Sequence, residues 1–159
     1  MLEPDVIDLL ESGCGMLIGF VTAEGMPFAT RGWGMTVLDE GTRVRMLVGS
    51  AEMARLGYPP GGEVSTMVAV TGCSVITLRS VQLKGPITAV EPLNDDDARR
   101  LESYCNAFFD DVMVVDSVAR YLMERLVPTE FMACEFDVVE IYNQTPGPNA
   151  GAPVAARAT

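Results

Sequence analysis

The feature that most constrains the fold of this chain is a succession of short β-type segments separated by tight turns. Ala23-Glu24-Gly25-Met26 and Asp39-Glu40-Gly41-Thr42 are hairpin signatures, each with a glycine that can take the positive φ such turns need. Around them Met16–Thr22, Pro27–Leu38 and Arg43–Gly49 read as strands. Val64–Thr71, rich in β-branched residues, reads as a fourth. After a bend at Gly72-Cys73-Ser74, Val75–Leu78 leads into a strand running from Arg79 to Val90. Strands at this spacing, joined by hairpin turns, point to an antiparallel barrel. Arg31, Trp33, Met35 and Val37 are expected on one face of the second strand, with Gly32 and Gly34 on the other. Glycines inside a strand mark a bulge or a close backbone approach. The same reading applies to Gly85-Pro86.

Four helices are expected outside the barrel strands before the last strand. Residues 3–12 carry Val6, Leu9 and Leu10 at helical spacing and stop at Gly13 and Gly15. Ser50 is positioned to cap a short helix over Ala51–Leu56. Asn94, followed by Asp95, Asp96 and Asp97, caps an amphipathic helix with Ala98, Leu101, Cys105, Phe108 and Val112 on its apolar stripe. A further helix over Ser117–Leu126 stacks Val118, Tyr121, Leu122 and Arg125 on one side and ends before Pro128. Glu130–Tyr142 reads as one long final strand. The glycines of residues 57–62 lack the lysine of a phosphate-binding loop and read as turn chemistry.

Composition narrows the function. The chain has 159 residues, enough for one domain with a real core, and a formal net charge of −11. That charge repels nucleic acid and anionic membrane surfaces. No run of about 18 apolar residues marks a transmembrane helix, and the N-terminus lacks a signal peptide's basic region. The four cysteines, Cys14, Cys73, Cys105 and Cys134, are widely spaced and read as reduced thiols in a cytoplasmic protein, packed as small hydrophobes. There is no histidine. This excludes Ser-His-Asp and Cys-His catalysis and the common histidine-ligated metal sites, so no metal site is expected. Proton transfer would fall to Asp, Glu, Tyr, Lys, Cys, water or a cofactor.

Arg79-Ser80-Val81-Gln82-Leu83-Lys84-Gly85 concentrates the candidate site. Val81 and Leu83 face a core by the period-2 rule, which leaves Ser80, Gln82 and Lys84 together on the other face, with Arg79 beside them. A donor-rich, positive stripe on an acidic protein reads either as a solvated strand face, paired with the chain's own carboxylates, or as an anion site.

The hairpin Ala23-Glu24-Gly25-Met26-Pro27, the Arg79–Gly85 strand and a final strand running into Ile141-Tyr142-Asn143-Gln144-Thr145-Pro146-Gly147-Pro148 resemble the pyridoxamine 5′-phosphate oxidase-like, FMN-binding split-barrel superfamily over about residues 3–150. The resemblance implies a mainly β fold with flanking helices: an antiparallel six-stranded split β-barrel over residues 1–145, with a Pro/Gly-rich, extended tail over 146–159. It implies a homodimer with FMN in a groove between subunits. Arg31, Arg79, Ser80 and Lys84 are then candidates for the flavin phosphate, Gln82 for the polar edge of the ring and Trp33 for its apolar part. Trp33 reads equally as a barrel or interface anchor. One departure stands out: where such proteins often carry a basic segment after the third strand, this chain has Gly49-Ser50-Ala51-Glu52-Met53, and a carboxylate there opposes a phosphate dianion by about 1 kcal/mol. The pyridoxamine-phosphate substrate residues are absent, so that specific oxidase activity is not expected. Two functions follow from the resemblance: an FMN-dependent oxidoreductase, or a non-catalytic dimer that binds a flavin or another anionic small molecule at a degenerate site.

Overall fold

The computed structural model describes residues 1–57 and 66–154. Its strands are β1 (Gly15–Val21), β2 (Pro27–Leu38), β3 (Arg43–Gly49), β4 (Met67–Cys73), β5 (Ser80–Pro92), β6 (Phe131–Asp137) and β7 (Glu140–Asn143). The helices are α1 (Pro4–Leu10), α2 (Ser50–Arg55), α3 (Asp95–Asp116) and α4 (Arg120–Glu124). Six strands close an antiparallel barrel in the order β4-β1-β2-β3-β6-β5, with β5 returning to β4. The expected six-stranded split barrel with flanking helices is therefore present.

The split lies in β5. Its first half, Val81–Lys84, pairs with β4 on one side and β7 on the other, and its second half, Ile87–Pro92, pairs with β6. The long final strand expected over Glu130–Tyr142 is broken for the same reason. Val138 N–H turns to Thr42 O and Val139 N–H to Lys84 O, so the chain leaves β3 and joins β5 as a seventh strand. Gly85 sits where this crossover passes: a Cβ there would lie 1.6 Å from Asp137 O. The bulge expected at Gly85-Pro86 falls instead between Ile87 and Ala89.

The barrel interior is filled by side chains on one parity of each strand, among them Ile18, Val70, Leu83, Val44, Met46, Cys134 and Phe136. In β2 an extra residue enters between Gly32, opposite Val48, and Met35, opposite Met46. Gly34 takes φ +135° there. The glycine bulge anticipated for β2 is real, and it corrects the face assignment. Gly32 and Met35 both turn inward, so Met35 does not share a face with Arg31. β1 pairs with β2 only as far as Arg31. Beyond it, side chains satisfy the free edge: Val37 N–H donates to Glu11 Oε1 (2.7 Å) and Arg100 Nε donates to Met35 O (2.7 Å).

The helix starts differ in quality. Ser50 does not cap α2; it is the first helical residue, and Gly49 holds the cap position without a side-chain bond. The start of α3 is a complete capping box. Asp97 N–H donates to Asn94 Oδ1 and Asn94 N–H to Asp97 Oδ2, both at 2.9 Å. The buried side of α3 is Asp97, Tyr104, Phe108 and Phe109, rotated from the expected stripe, and Ala98 is exposed. The second helix is shorter than expected, and its buried residue is Met123; Tyr121 and Leu122 face outward. The tail is not extended over its described part. It folds back, with Asn143 N–H donating to Ala152 O and Val154 N–H to Ile141 O. Residues 58–62 of the loop and Val64-Ser65 of the fourth strand lie outside the described residues.

Asp97 also receives Arg45 in a two-pronged bond, Nε to Oδ1 at 2.9 Å and Nη2 to Oδ2 at 2.7 Å, and Arg45 Nη1 reaches Glu135 (2.8 Å) and Glu91 (3.0 Å). Both Arg45 and Asp97 are buried. Burial alone would raise the Asp97 carboxyl, but the guanidinium and the Asn94 N–H hold it below the usual carboxylate range. A lowered folded-state pKa stabilises the protein above the unfolded value, about 3.9, and that contribution is lost as the pH falls through the folded value. Asp97→Asn is expected to cost about 3–5 kcal/mol in urea unfolding at neutral pH, because it leaves a buried guanidinium short of its closest anion. The gap to the parent chain should narrow as the pH drops below about 4. A gap independent of pH would show that shape, not charge, holds this contact.

Candidate functional site

The cations that the sequence places on and before β5 are engaged within the chain. Arg79 precedes β5; its Nη2 lies 2.5 Å from Asp5 Oδ2 and its Nη1 donates to Asp5 O, so it ties α1 to the β4–β5 turn. Lys84 Nζ lies 3.9 Å from Glu140 Oε2 and 4.6 Å from the Tyr142 ring centre. Ser80 is buried. Its hydroxyl donates to Leu78 O and its N–H to Thr145 Oγ1, so the tail covers it. Gln82 Nε2 donates to Thr71 Oγ1 at 3.2 Å. Ser80, Gln82 and Lys84 lie together on β5 as expected, and Arg79 stands apart at α1.

Arg31 and Gln82 belong to one row across the sheet. The register runs Arg31–Leu17–Thr71–Gln82–Tyr142 over β2, β1, β4, β5 and β7. Directly paired residues share a face. The alternate row, Ile18–Val70–Leu83–Ile141, is buried, so the Arg31 row lies on the outside of the barrel. Leu17, in the middle of that row, is 67% exposed.

The C-terminal half of α3 passes beside this row and makes a groove of about 390 Å³, lined by Leu17, Arg31, Val75, Phe108, Val112 and Asp116, with Cys73 on its wall. The Arg31 guanidinium lies 4.2 Å from the Phe108 ring centre and 5.2 Å from that of Trp33. Its Nε is buried with no hydrogen-bond partner. Among the described residues Arg31 makes none of the ion pairs that occupy Arg43, Arg45, Arg79, Lys84, Arg99 and Arg120. Trp33 is buried, edge-on to Phe131; it supports Arg31 from behind and does not line the groove.

Among the described residues the other buried unpartnered side-chain atom is Glu52 Oε2. It lies against Gly49, where an added Cβ would come within 2.1 Å of it. It borders a second cavity, lined by Glu52, Arg125, Leu126 and Pro128 among others. This is the segment where a basic residue would help a phosphate.

Several buried hydroxyl and thiol groups are shifted by their surroundings. The Tyr104 hydroxyl donates to Cys14 O at 2.8 Å, and burial pushes its phenol up against the lowering influence of nearby Arg31. Burial pushes the Cys14 thiol up to about 11 and the Cys134 thiol up to about 12, so neither is a thiolate nucleophile at neutral pH. All four cysteines are free. Among the described residues no group of three or more Asp, Glu or Cys is gathered to hold a metal. The arrangement can hold a flat, largely apolar molecule against an oriented cation.

Leu17, Val75 and Phe108 were not anticipated as site residues. A signal existed for Leu17. Met16-Leu17-Ile18 is apolar on both parities, so one apolar side chain had to face away from the core. Phe108 is invisible as a site residue because its position over Arg31 depends on how α3 docks.

Arg79→Ala and Lys84→Ala each remove one exposed ion pair, and such pairs contribute at most about 1 kcal/mol. Urea midpoints of both variants should therefore stay close to that of the parent chain. A loss well above that value would mark the pair as structural.

No family model and no curated protein matches the sequence. Solved structures do. HupZ of Group A Streptococcus is 14% identical over 95% of this chain and 100% of its own, with a TM-score of 0.55. An F420 reductase is 13% identical over 84% of this chain and 93% of its own, at 0.50. A pyridoxamine 5′-phosphate oxidase-related, FMN-binding protein of Nostoc punctiforme is 13% identical over 93% and 87%, at 0.48.

Proposed function

We propose, on the premise of the pyridoxamine 5′-phosphate oxidase-like split-barrel fold that this chain has, that it binds a flavin, FMN being the form the fold suggests, as a homodimer. The observation that carries this reading is the apolar groove walled by Leu17, Val75, Phe108 and Val112, with the Arg31 guanidinium lying on Phe108. A conjugated ring matches the apolar walls, and the cation beside them suits its polar edge. When bound, a flavin supplies hydride chemistry, which needs no catalytic acid and suits a chain without histidine. Arg31 would orient the ligand through its guanidinium, Gln82 would offer its amide further along the same row, and Leu17 and Val112 would exclude water. We infer oxidoreductase chemistry from this, with the substrate and electron donor open.

A homodimer is supported by the outer sheet face. Leu17 and Met67 are exposed there, and Ala29, Gly19 and Ala69 leave it low and flat between them. Two copies that each carry −11 can approach closely only through an uncharged face. Free cysteines favour a reducing compartment, and we place the protein in the cytoplasm. No described helix is long and apolar enough to cross a membrane. A second reading, a binding dimer without redox activity, is favoured by Glu52 and by the pairing of Arg79 and Lys84 with carboxylates.

Purified protein is expected to carry a flavin's visible absorption, released on denaturation, or to take up added flavin. A colourless protein that quenches no added flavin would end this reading. Leu17→Glu puts a charge in the centre of the flat face and should convert a dimer to a monomer in sedimentation velocity. An unchanged dimer would move the interface elsewhere.

A further inference from the structure

We infer that Gln144, in the tail that follows β7, is a positioning residue of the flavin site: with Thr71 it holds the amide of Gln82, so that ligand affinity depends on the folded-back tail. This rests on the flavin reading above and adds what orients one of its side chains.

The first support is how the tail is fixed. Gln144 N–H donates to Ser80 O (2.8 Å), Ser80 N–H to Thr145 Oγ1 (3.0 Å) and Thr145 N–H to Asn143 Oδ1 (3.0 Å). Further on, Gly151 N–H donates to Asn143 O (2.7 Å), and Pro153 bridges to Tyr142. Val81 pairs with Asn143, so Gln144 extends the β5–β7 ladder by one residue, opposite Ser80. Ser80 and Gln82 share the outer face of β5, and Gln144 arrives on that face beside Gln82.

The second support is the amide itself. Gln82 Nε2 donates to Thr71 Oγ1 at 3.2 Å, and Gln82 Oε1 accepts from Gln144 Nε2 at 3.5 Å. With a partner at each end, the amide turns its carbonyl to the tail and its nitrogen to β4, the side on which Leu17 and the groove lie. That nitrogen carries two hydrogens. Among the described residues only Thr71 accepts from it, which leaves one hydrogen for a ligand. Thr71, Gln82 and Gln144 are all half-buried, held by the sheet and the tail yet open on one side. Gln82 lies two strand spacings from Leu17, about 10 Å, which a three-ring ligand lying across the strands spans.

The test is a flavin titration of the full chain, read by quenching of flavin fluorescence, in the parent, Gln82→Ala, Gln144→Ala and the double variant. Each single variant is expected to weaken binding by about threefold to tenfold, the worth of one neutral hydrogen bond. The double variant should lose no more than Gln82→Ala alone, because Gln144 acts through Gln82. Gln144→Glu offers only acceptors, so Gln82 has to turn its nitrogen to the tail. Affinity should fall as in Gln144→Ala, and this loss should vanish in the Gln82→Ala background, which separates reorientation from the added charge. Circular dichroism and urea midpoints close to the parent's establish that the variants fold. Parent-like affinity in either alanine variant, losses that add in the double variant, or a Gln144→Glu loss that persists without Gln82 would each overturn the inference and leave the flavin reading in place. Failure of the parent chain to bind flavin would remove that reading and this inference with it.

Discussion

Arg45 projects from the middle of β3 into three carboxylates, Asp97, Glu135 and Glu91, and the placement of α3 depends on that contact. β3 and β6 bring Arg45 opposite Glu135, β5 supplies Glu91, and the first turn of α3 supplies Asp97. One guanidinium thus joins three barrel strands to the helix that follows them. Asp97 does double service, since the same carboxylate closes the capping box with Asn94. The direction of α3 is fixed at its origin, where the helix dipole also favours acidic side chains. At 1.5 Å per residue, Phe108 lies about 16 Å further along the helix, and that is where it meets Arg31. The groove is therefore set by an ion cluster on the other side of the barrel.

The second constraint is the division of β5. A strand that pairs with β4 and β7 along one half and with β6 along the other has to bend, and the Ile87–Ala89 irregularity and Gly85 are where it does so. The bend lets the sheet close while leaving the outside of β2-β1-β4 without a covering helix among the described residues. α3 reaches only the edge of that face. The uncovered sheet and the groove are thus two parts of one surface, and a copy packed on the sheet would form a wall of the groove.

Much of this was legible in the sequence because it follows from local chemistry. Gly25 and Gly41 mark the two hairpins. Asn94 with Asp95, Asp96 and Asp97 marks the start of α3. Gly32 and Gly34 mark the β2 bulge. What was not legible depends on contacts far apart in the chain. Nothing in the alternation of Glu130–Tyr142 says that its strand changes partners at Val138. A bulge of one residue reverses every later face, so Met35 was assigned to the side of Arg31. Whether Arg79 and Lys84 are paired with the chain's own carboxylates or free for an anion stays open in the sequence, because Asp5 and Glu140 are 74 and 56 positions away from them. Arg31 looked equivalent to both, and only the fold distinguishes it, by giving it aromatic neighbours and no carboxylate.

The allocation of charge carries the functional argument further than any single residue. The chain has 22 acidic and 11 basic residues, and among the described residues six of the cations stand in ion pairs. Barrel and helix packing consume Arg43, Arg45 and Arg79 in ion pairs, and Arg100 on backbone carbonyls. Arg31 lies among Phe108, Trp33, Leu17 and Val75, with its guanidinium stacked on the rings and its Nε buried without a partner. Stability would be better served by a methionine or a leucine in that place, since an orphaned buried donor stabilises nothing.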